Sequence, residues 1–187
     1  MAKVLFYIYP GFTEFEITVA MTILAHLHEV VTVGPDQAPV TGEGGLRCLP
    51  HVAIDQVNAN DYAGLIVPGA EDAIHLNDAA ALHELLRQMD AAGKPVAAVC
   101  SGPLALLRAG VLGDRPYTVA YTPEQRAFLQ FPAETFQDVN VVRDGNLLTA
   151  TGHGYAEFGV AVGDLFGIYR DAEHRSRVSR FYVDHER

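Results

Sequence analysis

The chain has 187 residues, 49% of them apolar, which places it in the folded globular class with enough length to bury one full-sized core. Its formal net charge of −10 excludes a basic phosphate-binding face, so a small molecule or a protein is expected as partner and nucleic acid is not. Two cysteines far apart make no disulfide framework, and no secretory leader or membrane-length apolar run is seen. A reducing cytoplasm is therefore the expected compartment.

Lys3 to Tyr9 is rich in β-branched and aromatic residues and predicts the first strand, stopped by Pro10-Gly11. Thr13 is a candidate N-cap for a helix reaching about Leu27, with Phe15, Val19, Ile23 and Leu27 at helical spacing. Glu14 and Glu16 then fall in its first turn, where carboxylates meet the positive end of the helix dipole. Glu16 carries a sharper expectation. In a parallel sheet its loop opens at the carboxyl edge of the strands, and a carboxyl buried there could stay protonated and donate to a thiolate.

Glu29 to Val33 predicts a second strand, ended by Gly34-Pro35. Residues 38–50, with Gly42, Gly44 and Gly45, predict a hairpin or loop. They are no dinucleotide fingerprint, because no strand-then-helix context surrounds them. Cys48 falls here and is expected to pack on the sheet. Gly64 to Val67 predicts a buried strand, followed by Pro68-Gly69-Ala70-Glu71. The backbone amides of Gly69 and Ala70 are candidate oxyanion donors. Residues 79–92 predict an amphipathic helix with Leu82, Leu85, Leu86 and Met89 on one face.

The stretch from Lys94 to Leu107 organises the rest. Val96 to Val99 is a short uncharged run, as expected of a central parallel strand, and Leu104, Leu106 and Leu107 restore a helical stripe. Cys100 stands on the corner, with Ala98 two residues before and Gly102 two residues after. That is the small-x-nucleophile-x-small pattern of a nucleophile elbow, with cysteine as nucleophile. The turn should lift the thiol to the carboxyl edge of the sheet, beside free N–H groups of the next helix. Those groups, Ser101 included, are expected to stabilise a thiolate and to receive an oxyanion.

Tyr117 to Tyr121 predicts a weak strand, and Thr122-Pro123-Glu124 a helix start. Val139 to Arg143 and Leu147 to Thr151 flank Asp144-Gly145-Asn146, a hairpin signal. Thr151-Gly152-His153-Gly154 leads into a last core helix over about 156–169, with Phe158, Val162, Leu165 and Phe166 inward. His153 opens at the catalytic edge if its strand is parallel, and it is a candidate partner for Cys100. His26 and His28, two apart on a helix, point to different faces. His174 and His185 fall in the charged tail from Asp171, which is expected on the surface or against a partner subunit. No metal site is expected. Alternating strands and helices give a single α/β domain over 1–187, a three-layer sandwich with a largely parallel central sheet.

Phe15-Glu16, Val67-Pro68-Gly69, Ala97-Ala98-Val99-Cys100-Ser101-Gly102-Pro103 and Leu148-Thr149-Ala150-Thr151-Gly152 together resemble the ThiJ/PfpI superfamily, over nearly the whole chain up to about Tyr169. The resemblance implies a flavodoxin-like sandwich, usually a homodimer, with no cofactor. It further implies that the elbow cysteine, here Cys100, is reactive and easily oxidised to sulfinate, and that the glutamate matching Glu16 hydrogen-bonds it. Members include cofactor-free glyoxalases, proposed deglycases, peptidase-like hydrolases, isocyanide hydratases and stress proteins. The chain departs from the pattern at Ser101, where the peptidase-like branch has His. It departs again at Tyr121-Thr122-Pro123, where many members place a His, and at Ala70, where a second glycine is frequent. The first two departures leave no obvious general base next to Cys100. The related glutamine amidotransferases place Glu two residues after their late histidine, whereas Glu157 lies four after His153. The expected function is a cysteine-dependent enzyme acting on a small electrophile, glyoxalase- or deglycase-like or hydrolase- or hydratase-like. The alternative is a non-enzymatic oxidative-stress sensor in which Glu16 holds an oxidised Cys100.

Overall fold

A computed structural model describes residues 1–184, so His185 lies outside the described residues. The chain opens with β1 (Ala2–Tyr7), α1 (Phe15–Leu24) and β2 (His28–Gly34). A small hairpin follows, β3 (Val40–Thr41) with β4 (Arg47–Cys48), then β5 (Val52–Ala53) and β6 (Gly64–Val67). Next come α2 (Ile74–Asn77), α3 (Ala80–Ala91), β7 (Val96–Val99), α4 (Pro103–Ala109) and α5 (Pro123–Leu129). The chain ends with β8 (Val141–Asp144), β9 (Leu147–Ala150), α6 (Tyr155–Leu165) and α7 (Ala172–Tyr182).

Seven strands make one sheet in the order β5-β2-β1-β6-β7-β9-β8, all parallel except β8, which pairs antiparallel with β9. Every residue of β6, β7 and β9 is buried, which is why these strands read as uncharged runs and not as alternating ones. Helices α1, α6 and α7 pack together as one group, and α2, α3 and α4 as another. In α3 the face Leu82, Leu85, Leu86 and Met89 is buried as its spacing predicts. Each such side chain contributes about 1.5–3 kcal/mol on leaving water. The sheet's carboxyl edge gathers the loops after β1, β6, β7 and β9, the usual ligand edge of this architecture.

Four local expectations are corrected. The buried face of α1 is Glu16, Ile17, Ala20, Ile23 and Leu24, while Phe15 and Leu27 are exposed. Two neighbours compete for this helix: the sheet takes one face and α6 takes Val19, approaching so closely that a Cβ on Gly159 would lie 2.5 Å from the Val19 Cγ1. Thr13 does not cap α1; its hydroxyl donates to Glu43 Oε2 at 2.6 Å. Residues 117–121 form no strand. Their amides find three unrelated acceptors (Thr135 O for Tyr117, Thr149 Oγ1 for Thr118, Cys100 O for Ala120), so no ladder develops. His26 and His28 share no helix, since α1 ends at Leu24 and His28 opens β2.

The charged extension forms α7, capped by the Asp171 side chain and tied to α6 by the Arg175–Asp164 ion pair at 2.7 Å. Cys48 sits half-buried in the β3–β4 hairpin and packs against the main core from there. Among the described residues no helix is long and apolar enough to cross a membrane, and no three His, Cys, Asp or Glu side chains gather as a metal site.

Candidate active site

The strand-to-helix corner is an elbow in the strict backbone sense. Cys100 has φ +60°, a left-handed conformation that costs a non-glycine residue about 1–3 kcal/mol. Three hydrogen bonds hold it there. Cys100 N donates to Ala150 O at 2.8 Å, Ala120 N donates to Cys100 O at 3.0 Å, and Gly102 N donates back to Val99 O at 2.8 Å. The glycine is required by the tightness of the turn: a Cβ on residue 102 would meet Val67 O at 2.6 Å and Val99 O at 2.7 Å.

Glu16 and Cys100 meet. Glu16, only 2% exposed, stands in the first turn of α1, shares a hydrogen bond with the Cys100 thiol, and accepts from Gly69 N at 2.7 Å through Oε2. Burial raises the Glu16 carboxyl above its ordinary value, against the hydrogen bonds from Cys100 and Gly69. Burial also pushes the Cys100 thiol up to about 12, and the Glu16 charge and hydrogen bond act in the same direction. Both groups of the pair are thus held toward their protonated forms, and each proton's release depends on the other.

This runs against the expectation of a thiolate stabilised by the helix end: burial and the Glu16 charge raise the thiol, and the amides leave little to offset them. Pro103, the first residue of α4, has no N–H, and the amides of Gly102, Leu104 and Ala105 are spent on Val99 O, Ser101 O and Gly102 O. Only the Ser101 N–H lowers the thiol. The predicted oxyanion donors meet the same competition. The Gly69 amide is committed to Glu16, and the Ala70 amide donates to Ser101 Oγ at 2.9 Å while that hydroxyl donates to Ala70 O at 3.0 Å. Of the three candidates Ser101 alone turns its amide to the sulfur.

His153 is not brought to Cys100. It is exposed in a single 3₁₀ turn, and its Nε2 lies 3.3 Å from Thr151 Oγ1. The residue that does reach the thiol from this loop is Gly152, where a Cβ would lie 3.1 Å from Cys100 Sγ and 3.2 Å from Glu16 Oε1. Three further neighbours escaped the sequence reading. Tyr9 is fully buried, donates to Pro68 O at 3.1 Å, and feels the charges of both Glu16 and Cys100. Tyr121 lies against the Ser101 hydroxyl, and Glu43 raises both Glu16 and Cys100 by its charge. Glu43 arrives on the β3–β4 hairpin, which Glu14 pins by accepting from Gly44 N at 2.9 Å and Leu46 N at 3.1 Å. No periodicity or local motif signals such cross-loop contacts.

The family model described as DJ-1/PfpI family matches residues 2–163. The protein named Deglycase PfpI, from Pyrococcus furiosus, is 34% identical over 125 residues, covering 66% of this chain and 73% of its own. A Caenorhabditis elegans protein named as a glutathione-independent glyoxalase is 29% identical over 135 residues, covering 72% of this chain and 71% of its own. The crystal structure of a DJ-1 superfamily protein from Agrobacterium tumefaciens superposes with a TM-score of 0.84 over 100% of both chains at 23% identity, a likeness of fold.

Proposed function

The chain belongs to the DJ-1/PfpI family, and from that premise we propose that it is a cysteine-dependent enzyme acting on small reactive dicarbonyls. Cys100 is the nucleophile, and Glu16 takes and returns its proton. The observation that carries the reading is the hydrogen-bonded Glu16–Cys100 pair at a strained elbow. Because the thiol is pushed up, a standing thiolate is not the reactive form. The thiol proton passes to Glu16 as sulfur attacks, which is general-base catalysis within the pair. The new bond joins Sγ to the aldehyde carbon, the C=O π pair moves to oxygen, and Glu16 returns the proton there to give a hemithioacetal. Glu16 then takes the carbon-bound proton while the ketone oxygen gains one, giving an enediol; reprotonation of the former ketone carbon, with loss of the hydroxyl proton beside sulfur, gives a thioester. Water then releases a 2-hydroxy acid and restores the thiol. The sum, dicarbonyl plus water to hydroxy acid, needs no oxidant or reductant. Relatives named as a deglycase and a glyoxalase support this substrate class.

The test is formation of hydroxy acid from methylglyoxal by the purified chain, followed by NMR. Turnover is expected in the wild type and in Cys48→Ser, whose thiol lies in the hairpin. A chain with an intact, reduced Cys100 and no product defeats the proposal. A base histidine removed from such a site costs about a hundredfold or more, so His153→Ala, lying off the thiol, is expected to change turnover less than about twofold. The homodimer implied by the family likeness belongs to the same proposal, and a monomer mass in light scattering would remove it.

The same contact favours a second reading as an oxidative-stress sensor. Two equivalents of peroxide would take the thiol through sulfenic to sulfinic acid, each releasing one water, and the Glu16 beside it would hydrogen-bond the product. Sulfination at low peroxide with a changed assembly, and no turnover beforehand, is the pattern that selects it.

A further inference from the structure

The phenol of Tyr9 is a buried donor that the chemistry above does not use. Tyr9 lies just past the end of β1, is fully buried, and donates from its hydroxyl to Pro68 O at 3.1 Å. The N–H at the other end of that same peptide group, Gly69 N, donates to Glu16 Oε2 at 2.7 Å. Resting on the reading of Glu16 as the base, we propose that Tyr9 is a positioning residue, which orients and strengthens the Gly69 N–H that holds the Glu16 carboxyl.

The two hydrogen bonds share one rigid unit. Pro68 C=O and Gly69 N–H belong to a single planar peptide, so a donor at the oxygen draws electron density from the nitrogen and makes the N–H a better donor. The Gly69 carbonyl is held in turn by Thr13 N at 2.9 Å, which fixes the tilt of the peptide. Crowding holds it from the other side, since a Cβ on Gly69 would lie 2.7 Å from the Cys100 Cβ. Glu16 Oε1 and Cys100 Sγ both face Gly152, at 3.2 and 3.1 Å from where its Cβ would stand. Anchoring Oε2 on Gly69 therefore leaves the second oxygen of Glu16 on the thiol side.

Tyr9 is itself held at this post. Its ring stacks on Tyr7 with centroids 5.4 Å apart and meets the His75 ring at 6.3 Å. Its own carbonyl accepts from Phe12 N at 3.0 Å in the turn that begins the loop to α1. That loop pairs with the loop after β6 through the Phe12–Ala70 bridge. Tyr9 thus stands where the two loops that carry Glu16 and Gly69 are joined. The ionisable groups that act on Glu16 are Cys100 from the elbow, Glu43 from the β3–β4 hairpin and Tyr9 from the end of β1. Burial raises the Tyr9 phenol far above its ordinary value, so it stays a donor while Glu16 titrates.

The experiment follows the Gly69 amide proton by NMR across pH in the reduced, full chain. Its position reports the bond to Glu16, and its inflection reports the titration of the carboxyl. The Gly69 bond favours the carboxylate against burial. Tyr9→Phe, which removes only the hydroxyl, is expected to move the amide proton upfield. The inflection should rise by about 0.3 pH units, about a twofold loss of carboxylate below the midpoint, in keeping with cooperative strengthening of roughly 10–30% per bond. Incorporating 3-fluorotyrosine at position 9, a stronger donor of nearly the same shape, should move both readings the other way. Tyr117→Phe is the control, because its hydroxyl also donates to a prolyl carbonyl, Pro132 O at 3.1 Å, in a loop that carries neither Glu16 nor Gly69. It should leave both readings in place. The acid limb of methylglyoxal turnover should follow the inflection. An inflection that Tyr9→Phe leaves in place, that Tyr117→Phe moves as far, or that both changes at Tyr9 move in one direction overturns the role of Tyr9 and leaves Glu16 standing as base. An inflection that moves as expected while the acid limb stays fixed keeps Tyr9 as the residue that positions Glu16, and defeats the base reading instead.

Discussion

Replacing Cys100 with alanine is expected to lower dicarbonyl turnover at least about a thousandfold, because Cys100 forms the covalent adduct of the proposed reaction and loss of a nucleophile removes a step outright. The fold should survive. Alanine can be held at φ +60° by the same three backbone hydrogen bonds, and only the half-buried sulfur is lost, which costs about 1 kcal/mol. The two readouts separate cause from damage. Turnover is followed by hydroxy acid formation, and integrity by urea unfolding. An alanine variant that keeps more than a tenth of wild-type turnover would mean that the chemistry happens elsewhere.

Glu16→Gln is expected to cost about a hundredfold or more in turnover, the usual worth of a positioned proton-transfer group. The amide can still accept from Gly69 N, so the site should hold its shape. What changes is charge. With the carboxylate gone, the strongest electrostatic influence raising Cys100 disappears, and its titration, read by iodoacetamide alkylation across pH, should fall from about 12. An unmoved thiol titration would remove Glu16 from the pair. The sign for stability follows from the raised carboxyl. A group whose folded pKa lies above its unfolded value stabilises the native state at low pH and loses that contribution as pH rises through the folded value. The wild type should therefore lose stability over that window above the ordinary carboxyl range, and Glu16→Gln should flatten the loss.

The parts of the molecule set by one chain segment were legible in the sequence. Gly64–Val67 and Val96–Val99 are the strands their uncharged runs predict, and Leu82 to Met89 bury the face their spacing describes. Where two neighbours compete for one element, the pattern misled. Phe15 stayed in water because α1 divides its surface between the sheet and α6, and Leu27 because α1 ends at Leu24. The convergence of Glu16, Gly69 and Cys100 followed from strand polarity. The fate of the amides did not: whether Ala70 N–H is free depends on a serine hydroxyl 31 residues away in sequence. Tyr121 and Glu43 were missed for the same reason, since they come to the site on loops whose separations carry no period.

The thiol is enclosed largely by main chain. Gly69, Gly102 and Gly152 come from three separate loops, and an added Cβ at each would press on Cys100, on Ser101 or on the turn that carries them. Walls of this kind have only one direction of change. Any substitution adds volume and narrows the chamber, and none can widen it. Diversification must therefore fall on the rim, where Glu43 and Glu71 can vary without touching the backbone that shapes the reacting centre. A lineage built on this scaffold would keep one attacking sulfur and explore many substrates, with its history of specialisation written in a few solvent-facing side chains.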